Sequence, residues 1–319
     1  MAPSPRRTTL ACLITLAATA AVFSDTAAAA NKRANAAAET ARSARECTAL
    51  GDFYWEIGDK NGVQASGQIG SEYSASTEMK IASASKWVWG AYVLEKIGRN
   101  ARPSDDQVAM LEMRSGYTAF NPVRCLLSRS VGACMEARGN DDKEKAKVGR
   151  FSYGGGHSQR LAVSMGLGKM SAEQLTAEVK GRLGAELGFS YDKPQLAGGM
   201  RSSASDYAQF LRKIMKGQLR MHDYLGYDPV CTLPGVCKSA VSSPVKEAWH
   251  YSLNHWVEDA PGTGDGSFSS PGLMGFYPWI SADKQTYGIL ARQKLSASAY
   301  WDSVQCGREI RKAWMQSGR

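Results

Sequence analysis

Apolar and polar positions change rhythm twice along this chain. The changes predict strands near the start, helices through the middle and strands again before a final helix. Near the start, Phe53-Tyr54-Trp55-Glu56-Ile57 and the alternating run Val63-Gln64-Ala65-Ser66-Gly67 flank Asp59-Lys60-Asn61-Gly62. Asn-Gly between two such runs predicts a β-hairpin, because both residues accept the backbone angles of its tight turn. From Ser83 to Gly98, Trp87, Val88, Tyr92, Val93 and Ile97 recur at helical spacing, and Gly98 marks the stop. Residues 36–46 also read as a helix. In the middle, helices are expected over 104–114, 157–168, 171–185 and 203–216. Ser171 and Ser203 serve as N-caps of the last two. Strands are expected over 251–258, 273–280 and 286–292, with Ser281–Lys284 turning between the last two, and a helix over 297–316. The expected fold class is α+β in two layers. One antiparallel sheet is built from both ends of the chain and flanked by N- and C-terminal helices, with a helical subdomain over about 100–245 inserted.

The first thirty residues read as an address. Arg6 and Arg7 precede the apolar run Leu10–Phe23, and small residues follow at Thr26–Ala30. This is the pattern of a signal peptide over 1–30, cleaved near Ala28–Ala30. The run is too short to span a bilayer comfortably, and no later run is long and uncharged enough. A secreted or periplasmic protein is expected, with a lead-in over 31–46 that is flexible over Asn31–Ala38.

Of seven cysteines, Cys12 leaves with the leader. The other six allow fifteen connectivities. Cys125 and Cys134 are close in sequence, as are Cys231 and Cys237, which bracket a turn-forming Thr-Leu-Pro-Gly-Val. That leaves Cys47 with Cys306. There is no Cys-x-x-Cys spacing, and the four histidines are not placed as ligand pairs. Three disulfides, no metal and no cofactor are therefore expected. The net charge of +9 is spread along the chain without a Lys/Arg run. A basic surface attracts anionic polymers, but no nucleic-acid motif accompanies it, so no nucleic acid is expected as a partner. A monomer is expected.

The candidate chemistry begins at Ser83-Ala84-Ser85-Lys86. A hydroxyl is a poor nucleophile until a base takes its proton. Serine in the opening turn of a helix and lysine three residues on share one face. A lysine in a dry pocket can lose its proton near neutral pH. The same spacing recurs at Ser190–Lys193, Ser243–Lys246 and Ser281–Lys284. Prolines disrupt the first two and the third lies in a turn, so only Ser83 opens a long apolar-periodic helix. Alone, the spacing also fits an N-cap serine followed by a solvated lysine.

Ile81-Ala82-Ser83-Ala84-Ser85-Lys86-Trp87 resembles the nucleophile motif of the penicillin-binding/β-lactamase superfamily, which includes class C β-lactamases, D-alanyl-D-alanine peptidases and related esterases. Three more segments resemble the superfamily in the expected order. Phe151-Ser152-Tyr153-Gly154-Gly155 resembles its Tyr-x-Asn element, with Tyr153 as the proton-sharing tyrosine and Gly155 where the amide stands. His157, close by, is expected to line the site. Leu196–Tyr207, with Gly198-Gly199, resembles a segment whose role is mainly packing. Ser269-Ser270-Pro271-Gly272 resembles the Lys-Thr-Gly or His-x-Gly strand edge, with Ser270 where a cation is usual.

The resemblance implies a serine hydrolase domain over 47–319 with Ser83, Lys86 and Tyr153 as the catalytic centre. It implies an oxyanion hole from the backbone N–H groups of Ser83 and Leu273, and a substrate surface at Gly155, His157, Ser270 and Gly272. The expected partner is a small-molecule or peptide-like ester or amide. A cation beside the site would bind a substrate carboxylate. Its replacement by Ser270 favours an esterase, amidase or peptidase over a true β-lactamase. Trp87, Trp89, Phe276 and Trp279 fit either an aromatic surround or the core. The alternative is a non-catalytic envelope-polymer binder on the same scaffold.

Overall fold

The computed structural model describes residues 12–318. The leader expected over 1–30 therefore begins outside the described residues. The chain opens with α1 (Cys12–Ser43), α2 (Arg45–Thr48), β1 (Phe53–Gly58), β2 (Val63–Ile69), β3 (Met79–Lys80) and α3 (Ser85–Ile97). The middle holds α4 (Asp105–Leu111), α5 (Val131–Met135), β4 (Phe151–Ser152), α6 (Gly156–Ala162), α7 (Ala172–Leu183), β5 (Ser190–Tyr191), β6 (Met200–Ser202), α8 (Ala204–Met215) and α9 (Met221–Tyr224). Then come β7 (Val230–Cys231), β8 (Ala240–Ser242), β9 (His250–Ser252), β10 (His255–Glu258), β11 (Ser267–Ser269), β12 (Tyr277–Ile280), β13 (Tyr287–Ala291) and α10 (Ala299–Gln316).

Eight strands make one antiparallel sheet in the order β2-β1-β13-β12-β11-β10-β9-β7. The fold is α+β, and both chain ends feed the sheet. The β1–β2 turn is closed by Asp59, whose carboxylate accepts the N–H groups of Asn61 and Gly62 at 2.7 and 3.1 Å. Alternation along β1 sends Phe53, Trp55 and Ile57 to one face, where Ala37, Ala41, Ile310 and Trp314 of α1 and α10 cover them. Tyr54 faces the other way, into the core that holds Trp87, Val88, Tyr92 and the apolar stripe of α8. Helix α3 is thereby buried along most of its length. That burial, more than helix propensity, fixes where Ser83 and Lys86 project. Disulfides join Cys47–Cys306, Cys125–Cys134 and Cys231–Cys237. The first ties α2 to α10 behind the sheet. No helix among the described residues is long and apolar enough to cross a membrane.

Three expectations change. Residues 31–38 are not a flexible lead-in but part of α1. Ala37 is buried there, and the Arg33 guanidinium lies 5.9 Å from the Trp314 ring centre. The stretch 251–258 is not one strand but the β9–β10 hairpin. It reverses at Leu253-Asn254, with Asn254 at φ +63°, which asparagine tolerates. The strand expected from 273 starts only at Tyr277. Pro271 cannot donate to a ladder, and Gly275 at φ +106° helps turn the chain between β11 and β12.

Candidate active site

The segment leading into α3 is clamped on three sides. Ile81 N–H donates to Met200 O of β6 at 3.1 Å. The Ser270 hydroxyl donates to Ser83 O at 3.1 Å, and the Tyr207 hydroxyl of α8 to Ala84 O at 2.8 Å. Within these clamps Ala82 takes φ +45°, a left-handed conformation that costs a non-glycine residue about 1 kcal/mol or more. A 3-10 turn over Ala82–Ala84 follows and runs into α3, leaving Ser83 part-exposed at its mouth.

Lys86, one turn further, is 4% exposed. Its Nζ donates to Ser83 Oγ and to Ala197 O, both at 3.0 Å. Among the described residues no carboxylate pairs with it, and burial pulls its pKa from 10.5 to about 7. The ring of Tyr153 lies beside it, 4.7 Å from Nζ to the ring centre. Tyr153 follows β4 and stacks on Trp256 of β10, with ring centres 5.3 Å apart. Burial raises its phenol to about 12, against the opposing pull of hydrogen bonding to Ser83. At pH 8 the amine is therefore mostly free of its proton and the phenol keeps its own.

The opposite wall is the turn after β11. A Cβ on Gly272 would run into Ile81 O, so only glycine lets this edge approach the Ser83 segment so closely. Among the described residues, no intramolecular hydrogen bond uses the backbone N–H of Ser83 or of Leu273. Leu273 itself is 55% exposed. Ser270, the expected substrate contact, is buried here, and its hydroxyl donates to Ser83 O. Arg292, behind Gly275, is spent on Leu50 O, Ala299 O and Ser303 Oγ. Among the described residues, no group of His, Cys, Asp or Glu could hold a metal ion.

Ser83, Lys86 and Tyr153 thus meet, with Gly272 and Leu273 across from them. His157, expected on the substrate surface, is turned away from solvent. It is fully buried, with Nδ1 at 2.7 Å from Ser115 Oγ and Nε2 at 2.9 Å from Ser152 O. Gly155 is part-exposed and packs against the Phe120 ring. Trp87, Trp89, Phe276 and Trp279 belong to the core. The sequence reading missed the Ala197 carbonyl, because a backbone acceptor carries no side-chain signature. It also missed Trp256, on which Tyr153 stacks.

No family model and no curated protein sequence matches this chain. Solved structures do match. A putative β-lactamase from Bacteroides dorei superposes with a TM-score of 0.61 at 19% identity, covering 84% of this chain and 94% of its own. The chain has the β-lactamase-type fold. EstCE1, described as a hydrolase with promiscuous acyltransferase activity, shares that fold with a TM-score of 0.67 at 11% identity over 90% of this chain and 99% of its own. A D-amino acid amidase from Ochrobactrum anthropi gives 0.63 at 11% identity over 91% and 99%. On the β-lactamase-type fold, the clamped Ser83 segment, the Lys86 helix and the Gly272 edge lie side by side.

Proposed function

We propose that this chain is an exported serine hydrolase that works through an acyl-enzyme on esters or amides with uncharged acyl groups. One observation carries the reading. A buried amine, with no acidic partner among the described residues, lies 3.0 Å from the hydroxyl of a part-exposed serine. A solvated structural lysine has no reason to occupy that place, since burying an unpaired charge is costly.

Ser83 Oγ attacks the substrate carbonyl carbon and its proton passes to Lys86 Nζ. The carbonyl oxygen becomes an oxyanion, held by the N–H groups of Ser83 and Leu273. Collapse breaks the bond to the alcohol or amine, which leaves with a proton relayed through the Tyr153 hydroxyl. Water then attacks the acyl carbon by the reverse sequence, releasing the acid and restoring Ser83. Lys86 is the acceptor because its pKa lies near 7, whereas the phenol, near 12, keeps its proton.

Ser270 stands where a cation is usual, and Arg292 behind it is engaged internally. That favours neutral esters and amides over penicillins. The hydrolase EstCE1 and the D-amino acid amidase among the structural neighbours are compatible with ester or amide substrates, and the putative β-lactamase neighbour keeps nitrocefin in the test. Export is supported by three disulfides, which persist in oxidising compartments. Cleavage near Ala28–Ala30 would leave the later part of α1 packed on α10.

The test is a panel of nitrocefin, short-chain nitrophenyl esters and D-amino-acid amides, run on wild type and Ser83→Ala. Ester or amide turnover that vanishes in the variant is expected; no Ser83-dependent turnover on any of them would overturn the reading. Ser270 and Gly155, standing where a cation and an amide are usual, favour one second reading, a non-catalytic envelope-polymer binder. Peptidoglycan binding that survives Ser83→Ala, without turnover, would select it.

A further inference from the structure

Helix α6 carries three buried polar side chains that the proposed reaction does not touch, His157, Ser158 and Gln159, and the first and last of them reach backbone beside Tyr153 and Lys86. Both are 0% exposed. Residues two apart on a helix do not share a face, so one short helix can reach two different walls. His157 reaches the segment before Tyr153. Ser152 O can only accept, so Nε2 carries the proton and donates to it at 2.9 Å. Nδ1 then accepts from the Ser115 hydroxyl at 2.7 Å. Burial, reinforced by the nearby Lys86 charge, holds the imidazole's pKa down to about 4, so this arrangement persists at neutral pH. Gln159 reaches the other wall. Its Nε2 donates to Val131 O at 2.9 Å and Pro194 O at 2.8 Å, and its Oε1 accepts Leu196 N–H at 3.2 Å. The next residue, Ala197, supplies the carbonyl that holds Lys86.

We propose that α6 is the positioning element of the site: His157 sets Tyr153 through Ser152, and Gln159 sets Lys86 through the 194–197 segment. The inference rests on the serine-hydrolase reading for its kinetic consequence but not for its geometry. Backbone bonds to Met113, Ser239 and Ser242 also hold residues 151–153, so losing the His157 donor is expected to shift the Ser152–Tyr153 backbone locally rather than release the segment. Displacement of a proton-transferring group by about 1 Å can cost about a hundredfold in rate. Neither residue is a catalytic residue, since neither touches the reacting atoms.

Two near-isosteric variants separate positioning from packing. His157→Gln keeps an N–H where Nε2 stood and so keeps the bond to Ser152 O. His157→Asn can keep an acceptor where Nδ1 stood, but its shorter amide leaves the place of Nε2, and so the donor to Ser152 O, empty. The backbone amide of Tyr153, bonded to Ser242 O at 3.0 Å, should exchange with deuterium at the wild-type rate in His157→Gln and at least about tenfold faster in His157→Asn. On a substrate that depends on Ser83, kcat should stay within about threefold of wild type for His157→Gln and fall at least about tenfold for His157→Asn, with KM little changed in both. Gln159→Met should likewise lower kcat more than it changes KM, with faster exchange at Leu196. Equal exchange and equal kcat in the two His157 variants would overturn the proposal. Absence of Ser83-dependent turnover in wild type would instead defeat the hydrolase reading and leave the exchange test of α6 intact.

Discussion

Replacing Lys86 by methionine should abolish hydrolysis and stabilise the fold, with a pH dependence set by the buried amine. Burial lowers the Lys86 pKa from 10.5 to about 7. At about 1.4 kcal/mol for each pKa unit, holding this amine in its dry site costs on the order of 5 kcal/mol once both states can protonate. A lowered lysine pKa means that between 7 and 10.5 the unfolded chain binds more protons than the native one. Stability therefore rises with pH across that window. The penalty is full below about pH 7, falls to about 2 kcal/mol at pH 9 and vanishes above the unfolded pKa. Methionine fills a similar volume and has no charge to desolvate, but it gives up the hydrogen bonds to Ser83 Oγ and Ala197 O. Those are worth about 1 kcal/mol each. Lys86→Met should thus gain about 2–3 kcal/mol at pH 6 and almost nothing at pH 9. Urea unfolding of both proteins at the two pH values, with disulfides intact, measures the difference. A stability difference that does not change between pH 6 and 9 would refute the placement of a desolvated amine beside Ser83.

The same amine sets an acid limb for activity: kcat/KM should fall as pH drops through about 7, and a pH-rate profile with no limb between 6 and 8 would exclude Lys86 as the proton acceptor. Gly272→Ala places a Cβ against Ile81 O; a cost of about 1–3 kcal/mol and a fall in kcat of at least tenfold are expected, read by thermal unfolding and ester hydrolysis. Removing the Cys47–Cys306 bridge, which spans 259 residues, should cost about 3–5 kcal/mol in denaturant unfolding while leaving kcat in the native state nearly unchanged.

The sheet was legible from both chain ends because its signals are local. Asn61-Gly62 between apolar runs specifies the β1–β2 turn, and Ser171 with Gln174 forms the capping box that starts α7. Ser83 and Lys86 were legible because their spacing coincides with a helix too apolar to be exposed. Other features were hidden because they depend on contacts distant in sequence. His157 was placed in the cleft on sequence proximity to Tyr153, but α6 turns it inward onto Ser115, 42 residues away in sequence. The Ala197 carbonyl faces Lys86 only because Gln159 and the β5–β6 turn bring that backbone across the core. Strand β11 escaped notice because Ser267-Phe268-Ser269 is too short for a periodic signal, and the Ser-Pro-Gly that follows reads as loop. The poly-alanine lead-in carries no amphipathic signature of its own, and α10 gives Ala37 and Ala41 something to pack against.

Reaction with a fluorophosphonate, followed by peptide mass spectrometry, probes the nucleophile most directly. The phosphonyl group should be found on Ser83, form about tenfold more slowly at pH 6 than at pH 8, the ratio expected when the activating amine titrates near 7, and be absent in both Ser83→Ala and Lys86→Met. An adduct on any other residue, or labelling of Ser83 that proceeds equally well without Lys86, would contradict activation of that hydroxyl by the buried amine.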